Sequence, residues 1–128
     1  MILFTVLKEI RMKIDLTYLK NMSAGNKDLI LEMIGIFKSQ VVEFNQSMDV
    51  YYTNKQYELL GRLAHKAKSS ISIMGLNELA ADLKNFENLA KEGVEVEKYP
   101  GFIKKFKNET AEAIEELDEV VRNIDIYI

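Results

Sequence analysis

Apolar residues recur along this chain in alternating steps of four and three. The first run is Ile30, Ile34, Phe37, Val41, Phe44, Met48 and Tyr51. The second is Leu60, Ala64, Ala67, Ile71 and Met74, and the third is Leu79, Leu83, Phe86 and Ala90. The fourth is Ile103, Phe106, Thr110, Ala113, Leu117, Val120 and Ile124. Such spacing puts one apolar stripe on one face of a helix, and no stretch keeps the two-residue alternation of a half-buried strand. Four amphipathic helices are therefore predicted. A repeat near 3.5 residues also favours the shallow, left-handed crossings of helical bundles.

The residues between these runs punctuate them. Asn26 and Asn54 precede the first and second runs as predicted N-caps. Gly75 followed by Asn77 reads as a stop and a new cap, Gly93 ends the third helix, and Pro100 suits the first turn of the fourth. A short leading helix over Leu16–Met22, capped by Asp15, is expected at one end. The links near residues 53–54 and 75–77 are so short that consecutive helices must be antiparallel neighbours. The expected fold is all-α: an antiparallel up-down-up-down four-helix bundle with a short N-terminal helix. Residues 13–128 form the bundle domain and residues 1–12 an N-terminal extension. The apolar start Met1–Leu7 is too short to span a bilayer and lacks the layout of a secretion signal.

Composition narrows the function more than the fold. With 128 residues the chain is one domain, long enough to bury a core. A net charge of −3 with no basic stripe argues against nucleic acid as the partner. The absence of cysteine removes disulfides, thiolate nucleophiles and Cys-ligated zinc, and fits a reducing, cytoplasmic setting. A single histidine cannot furnish a helical di-metal site, and no glycine-rich phosphate loop is present. The acidic run Glu109, Glu112, Glu115, Glu116, Asp118 and Glu119 reads as a solvated face, as do Lys104, Lys105 and Lys107.

The single histidine, His65, lies in the second predicted helix, roughly 150° from the centre of its apolar stripe. A lone histidine on a polar helix face is, as a rule, merely solvated. Its wheel neighbours here are Glu58, Gly61, Lys68, Ser69 and Ser72, none bulky and apolar. Gly61, Ser69 and Ser72 would leave low ground for a docking partner, and Lys68 lies one turn away on the same side. No acidic partner for the imidazole is evident, which argues against a hydrolytic triad. A neutral imidazole near pH 7 is a nucleophile able to attack phosphorus. Phosphoryl transfer asks mainly for alignment and charge stabilisation, which Lys68 can offer. Without a nucleotide site, the group must come from a partner.

These residues carry a resemblance. The run Ala64-His65-Lys66-Ala67-Lys68-Ser69-Ser70, with Gly75 ten positions after the histidine, then Leu79 and Phe86-Glu87, resembles the histidine phosphotransfer (HPt) domain of multistep two-component phosphorelays. The likeness extends from about Ile14 to Leu117 and takes in Tyr18-Leu19-Lys20 and the helix from Asp28 to Phe44. It departs at Ser69, where glycine is common, and at Ala67, where leucine is common.

The resemblance implies a phosphocarrier without autokinase activity, and a monomer is expected because a single carrier needs no symmetry. His65 would be the phosphoacceptor and Lys68 would offset the phosphoryl charge. Gly75 would allow close packing at the hairpin, and Ile73 would belong to an apolar docking patch. The implied partners are response-regulator receiver domains or a hybrid histidine kinase, with no nucleic acid and no membrane. The chain itself would carry no cofactor, magnesium being held by the receiver. The alternative is a helical adaptor of the same fold that has lost the chemistry.

Overall fold

The computed structural model describes residues 12–128, so the expectation for residues 1–11 lies outside the described part. Among the described residues six α-helices follow one another: α1 Thr17–Ser23, α2 Lys27–Thr53, α3 Tyr57–Ile73, α4 Asn77–Glu92, α5 Tyr99–Arg122 and α6 Ile124–Tyr127. A 3-10 turn, Val96–Lys98, precedes α5. Among the described residues there is no strand, and none of their helices is long and apolar enough to cross a membrane.

The four predicted stripes are the buried faces of α2 to α5 except at two ends, where Tyr51 is half-buried and Ile124 lies half-buried in α6. Ile30, Ile34, Phe37, Val41, Phe44 and Met48 are buried on α2, and Leu60, Ala64, Ala67 and Ile71 on α3. They meet Leu79, Leu83, Phe86 and Ala90 of α4 and Ile103, Phe106, Ala113, Leu117 and Val120 of α5 in one continuous core. α2 packs on α3 and α5, α4 packs on the same two, and the most extensive contact is between α3 and α4. Ala64, Ala67 and Ala90 are completely buried, and side chains this small let helix backbones come close. Aromatic rings fill the wider gaps. Phe44 meets Phe106 edge-on at 6.5 Å, and Phe86 stacks on Phe102 at 5.0 Å. Thr110 enters the apolar stripe because its hydroxyl donates to the Phe106 carbonyl at 2.7 Å, which removes the cost of burying it.

The helix ends follow the sequence in part. Asn26 caps α2, its side-chain oxygen accepting from the Leu29 N–H at 3.0 Å. Gly93 closes α4 in the left-handed conformation, and Pro100 sits in the first turn of α5. Asp15 accepts from the Thr17 N–H at 2.9 Å and so serves α1, which starts and ends one residue later than expected. Two caps differ. Asn54 ends α2 rather than starting α3, because the left-handed Lys55 inserts a further turn before Gln56. Asn77 lies within α4, whose N-cap is Leu76. The surface charges are also less solvated than their run suggests. Glu112 pairs with Lys13, Asp118 with Lys38, Lys105 with Asp82, and Lys107 with Asp49. These pairs tie helix to helix, and tie the N-terminal segment to α5.

That segment straps the α3–α4 turn. The Ile14 N–H donates to Glu116 of α5 at 3.1 Å, and the Asp15 N–H donates to the Met74 carbonyl at 3.0 Å. Gly75 has φ +74°, and a Cβ there would lie 2.5 Å from both the Cβ and the carbonyl oxygen of Asp15. Gly75→Ala should therefore suffer left-handed strain and a backbone clash together. We expect a loss of about 2 kcal/mol or more in denaturant-induced unfolding. A loss below about 0.5 kcal/mol would mean that the strap is not held against the turn.

Candidate functional site

His65 stands on the outer face of α3 with its side chain 61% exposed. The helix puts it there because Ala64, Ala67 and Ile71 turn inward on the opposite side. Its ring is not free. Nδ1 lies 3.0 Å and 3.1 Å from the two carboxylate oxygens of Glu87 on α4. The Glu87 side chain is only 3% exposed. The acidic partner that the sequence did not make evident is therefore present, on the neighbouring helix.

Gly61 makes this meeting possible. It lies one turn before His65 and is buried, not part of the open ground expected around the ring. A Cβ at Gly61 would lie 2.8 Å from Lys91 Cγ, 2.9 Å from the Lys91 backbone nitrogen and 3.2 Å from the Glu87 carbonyl oxygen. The α4 backbone thus occupies the space that a side chain would take. Gly61 acts through the spacing of the helices rather than by touching a visitor.

Glu87 gathers cations. Lys91 donates to one carboxylate oxygen at 2.7 Å, while the ammonium groups of Lys68 and Lys84 lie 3.7 Å and 3.8 Å from the other. The Lys91 hydrogen bond, then the His65 bond and charge and the Lys84 charge, outweigh burial and hold the carboxyl down to about 2. The carboxylate is accordingly ionised at neutral pH and can only accept. It follows that Nδ1 is the donor; in the neutral ring this fixes the tautomer and leaves the lone pair on Nε2. None of the described residues hydrogen-bonds Nε2. Arg62, also on α3, is engaged by Glu58.

Ser69 and Ser72 continue the exposed face beyond His65. With Thr17, Tyr18 and Asn21 of α1, and with Ile73 and Gly75, they line an open groove of about 630 Å³. Ile73 is half-buried between this groove and a smaller one that reaches Met33, Ile36 and Gln40 of α2. Tyr18, Met22 and Ile36 are large apolar side chains left exposed. Of the residues singled out in the sequence, Lys68 is beside the imidazole's carboxylate, Ser69, Ser72 and Ile73 line the groove, and Gly61 and Gly75 shape the backbone. Glu87 was legible only as part of a motif. One signal was available: Lys84, Glu87 and Lys91 are spaced three and four apart, at the edge of an apolar stripe, as a buried carboxylate flanked by its own cations would be.

Comparison with protein-family models, curated proteins and solved structures finds no match to this chain.

Because its carboxyl is held below its unfolded value, Glu87 stabilises the fold fully above the ordinary carboxylate range, and the contribution is lost as pH falls toward 2. Its magnitude is at most about 3 kcal/mol, reduced to about 1–2 kcal/mol because Lys84 and Lys91 are half-exposed. Unfolding measured from pH 7 to pH 2 should show Glu87→Gln destabilised at pH 7 and converging on wild type at the acid end. Parallel curves would exclude an ionised Glu87. Gly61→Ala should cost about 1–3 kcal/mol by overpacking and should alter the His65 ring signals in ¹H–¹⁵N spectra. Unchanged stability and ring shifts would dissociate Gly61 from the site.

Proposed function

We propose that this protein is a phosphorelay carrier of the histidine phosphotransfer kind. Its four long helices, α2 to α5, would form an antiparallel up-down-up-down bundle that presents His65 to receiver domains. The short links around Asn54–Gln56 and Met74–Leu76, with each long helix packed on two others, support that topology. The observation that carries the functional reading is the state of the imidazole. Its Nδ1 is claimed by a buried carboxylate and the ring is mostly exposed, so Nε2 is the nitrogen available to a partner.

The chemistry follows from that arrangement. Nε2 attacks the phosphorus of an aspartyl phosphate on a receiver domain. As the N–P bond forms, the P–O bond to the aspartate breaks, and its electron pair stays on the aspartate carboxylate. The Nδ1 proton remains in place throughout, facing Glu87, whose negative charge balances the positive charge the ring acquires. Lys68 offsets the charge of the incoming phosphoryl oxygens. The reverse step hands the group to a second receiver, and no proton has to move in either direction. The sequence has no glycine-rich phosphate loop, and under this reading the protein carries the phosphoryl group without making it from ATP.

The receiver is proposed to dock over the α1–α3 groove. Ser69 and Ser72 give room beside the ring, while Tyr18, Ile73 and Ile36 supply apolar surface along this groove and the smaller one beside it. A basic collar of Lys66, Lys68, Lys84 and Lys91 suits the acidic pocket in which an aspartyl phosphate sits.

Incubation with phosphorylated receiver domains should transfer phosphate to the chain in an acid-labile, base-stable form. His65→Gln should abolish the transfer, and persistence in that variant would remove His65 from the mechanism. Lys68→Ala should slow the transfer by about tenfold or shorten the phosphohistidine lifetime. If no receiver from the same organism donates to the wild-type chain, the adaptor reading replaces this one.

A further inference from the structure

We infer that Lys84 is a second phosphoryl-binding residue, and that Glu87 holds Lys68 and Lys84 beside the imidazole as ammonium groups ready to turn onto a phosphoryl group on Nε2. The inference rests on the carrier reading and extends it to a residue of α4.

The three lysines around Glu87 are not equivalent. Lys91 is hydrogen-bonded to Oε2 at 2.7 Å. Lys68 and Lys84 both face Oε1, at 3.7 Å and 3.8 Å, which is ion-pair range but too long for a hydrogen bond. Turning away therefore costs these two no hydrogen bond. They come from different helices, Lys68 from α3 and Lys84 from α4, and share the oxygen to which Nδ1 of His65 also points. The Lys84 side chain is 53% exposed, so its tip is free to swing outward.

Loading the ring would release them. When Nε2 bonds phosphorus the ring becomes cationic, its Nδ1–H binds the carboxylate more strongly, and the hold of Oε1 on the two outer ammonium groups weakens. At the same moment a phosphoryl dianion arrives within reach. In the resting state the carboxylate is surrounded by three ammonium groups, an excess of positive charge that the phosphoryl group would neutralise. Lys91 would stay on Oε2 and keep the carboxylate placed.

Phosphoramidate, which needs no receiver, can load His65 for ³¹P NMR, and a pH titration then reads the second ionisation of the phosphoryl group. A neighbouring ammonium favours the dianion and lowers this midpoint. The midpoint should rise by about half a unit in Lys84→Ala and again in Lys68→Ala. It should rise by about one unit in the double variant, return in Lys84→Arg, and rise less in Lys91→Ala than in Lys84→Ala. A Lys84→Ala midpoint equal to wild type, or an equal rise in Lys91→Ala, overturns the assignment. Transfer from receivers with an unmoved midpoint overturns Lys84 alone. A shifted midpoint without transfer from any receiver overturns the carrier reading alone. Failure of both donors to load His65 overturns both.

Discussion

The close approach of α3 and α4 at Gly61 is the constraint on which the site depends. A side chain at that position would occupy the space of the α4 backbone at Lys91 and of the Glu87 carbonyl. With glycine there, and with Ala64 and Ala67 inward on the same helix, α4 lies against α3 and brings a carboxylate level with the His65 ring. Glycine inside a helix costs about 1 kcal/mol relative to alanine, which the packing it permits must offset. The same contact buries Leu83, Phe86 and Ala90, so core and site share one surface.

Charge then organises what the backbone has brought together. A carboxylate with almost no access to water would ordinarily resist ionisation, and here its own helix supplies the remedy in Lys84 and Lys91. The ionised Glu87 orients the imidazole and turns Nε2 outward. Under the proposed carrier role, the neutral ring held this way is a nucleophile that needs no base, because its attacking nitrogen bears no proton. Partner-borne chemistry also fits the open shape of the groove, which offers a surface and not an enclosed pocket.

The rest of the fold holds that surface in register. The strap at Ile14 and Asp15 is pinned to α5 through Glu116 and to the α3–α4 turn through the Met74 carbonyl. It carries α1 into place as one wall of the groove. At the far end of α4, the buried Tyr99 hydroxyl donates to the carbonyls of Leu89 and Val94 and closes the loop into α5. Both ends of the α4 segment are thereby fixed, and Glu87 lies between them.

The sequence by itself determined the helices, their buried faces and the outward station of His65. Those features depend on spacing along one element, and the steps from Ile30 to Met48 or from Leu60 to Ile71 state them directly. Lys68, one turn from His65 on the same helix, was legible for the same reason. Tertiary structure alone decided which neighbours the histidine has, because Glu87 and Lys84 lie on another helix and no periodicity links them to His65. It also reversed the part of Gly61. On a wheel, a glycine beside an exposed residue is open ground, and only the position of α4 makes it the point of closest packing. The register between two helices is set by how their surfaces interlock, and that fit decided which group the ring's Nδ1 meets.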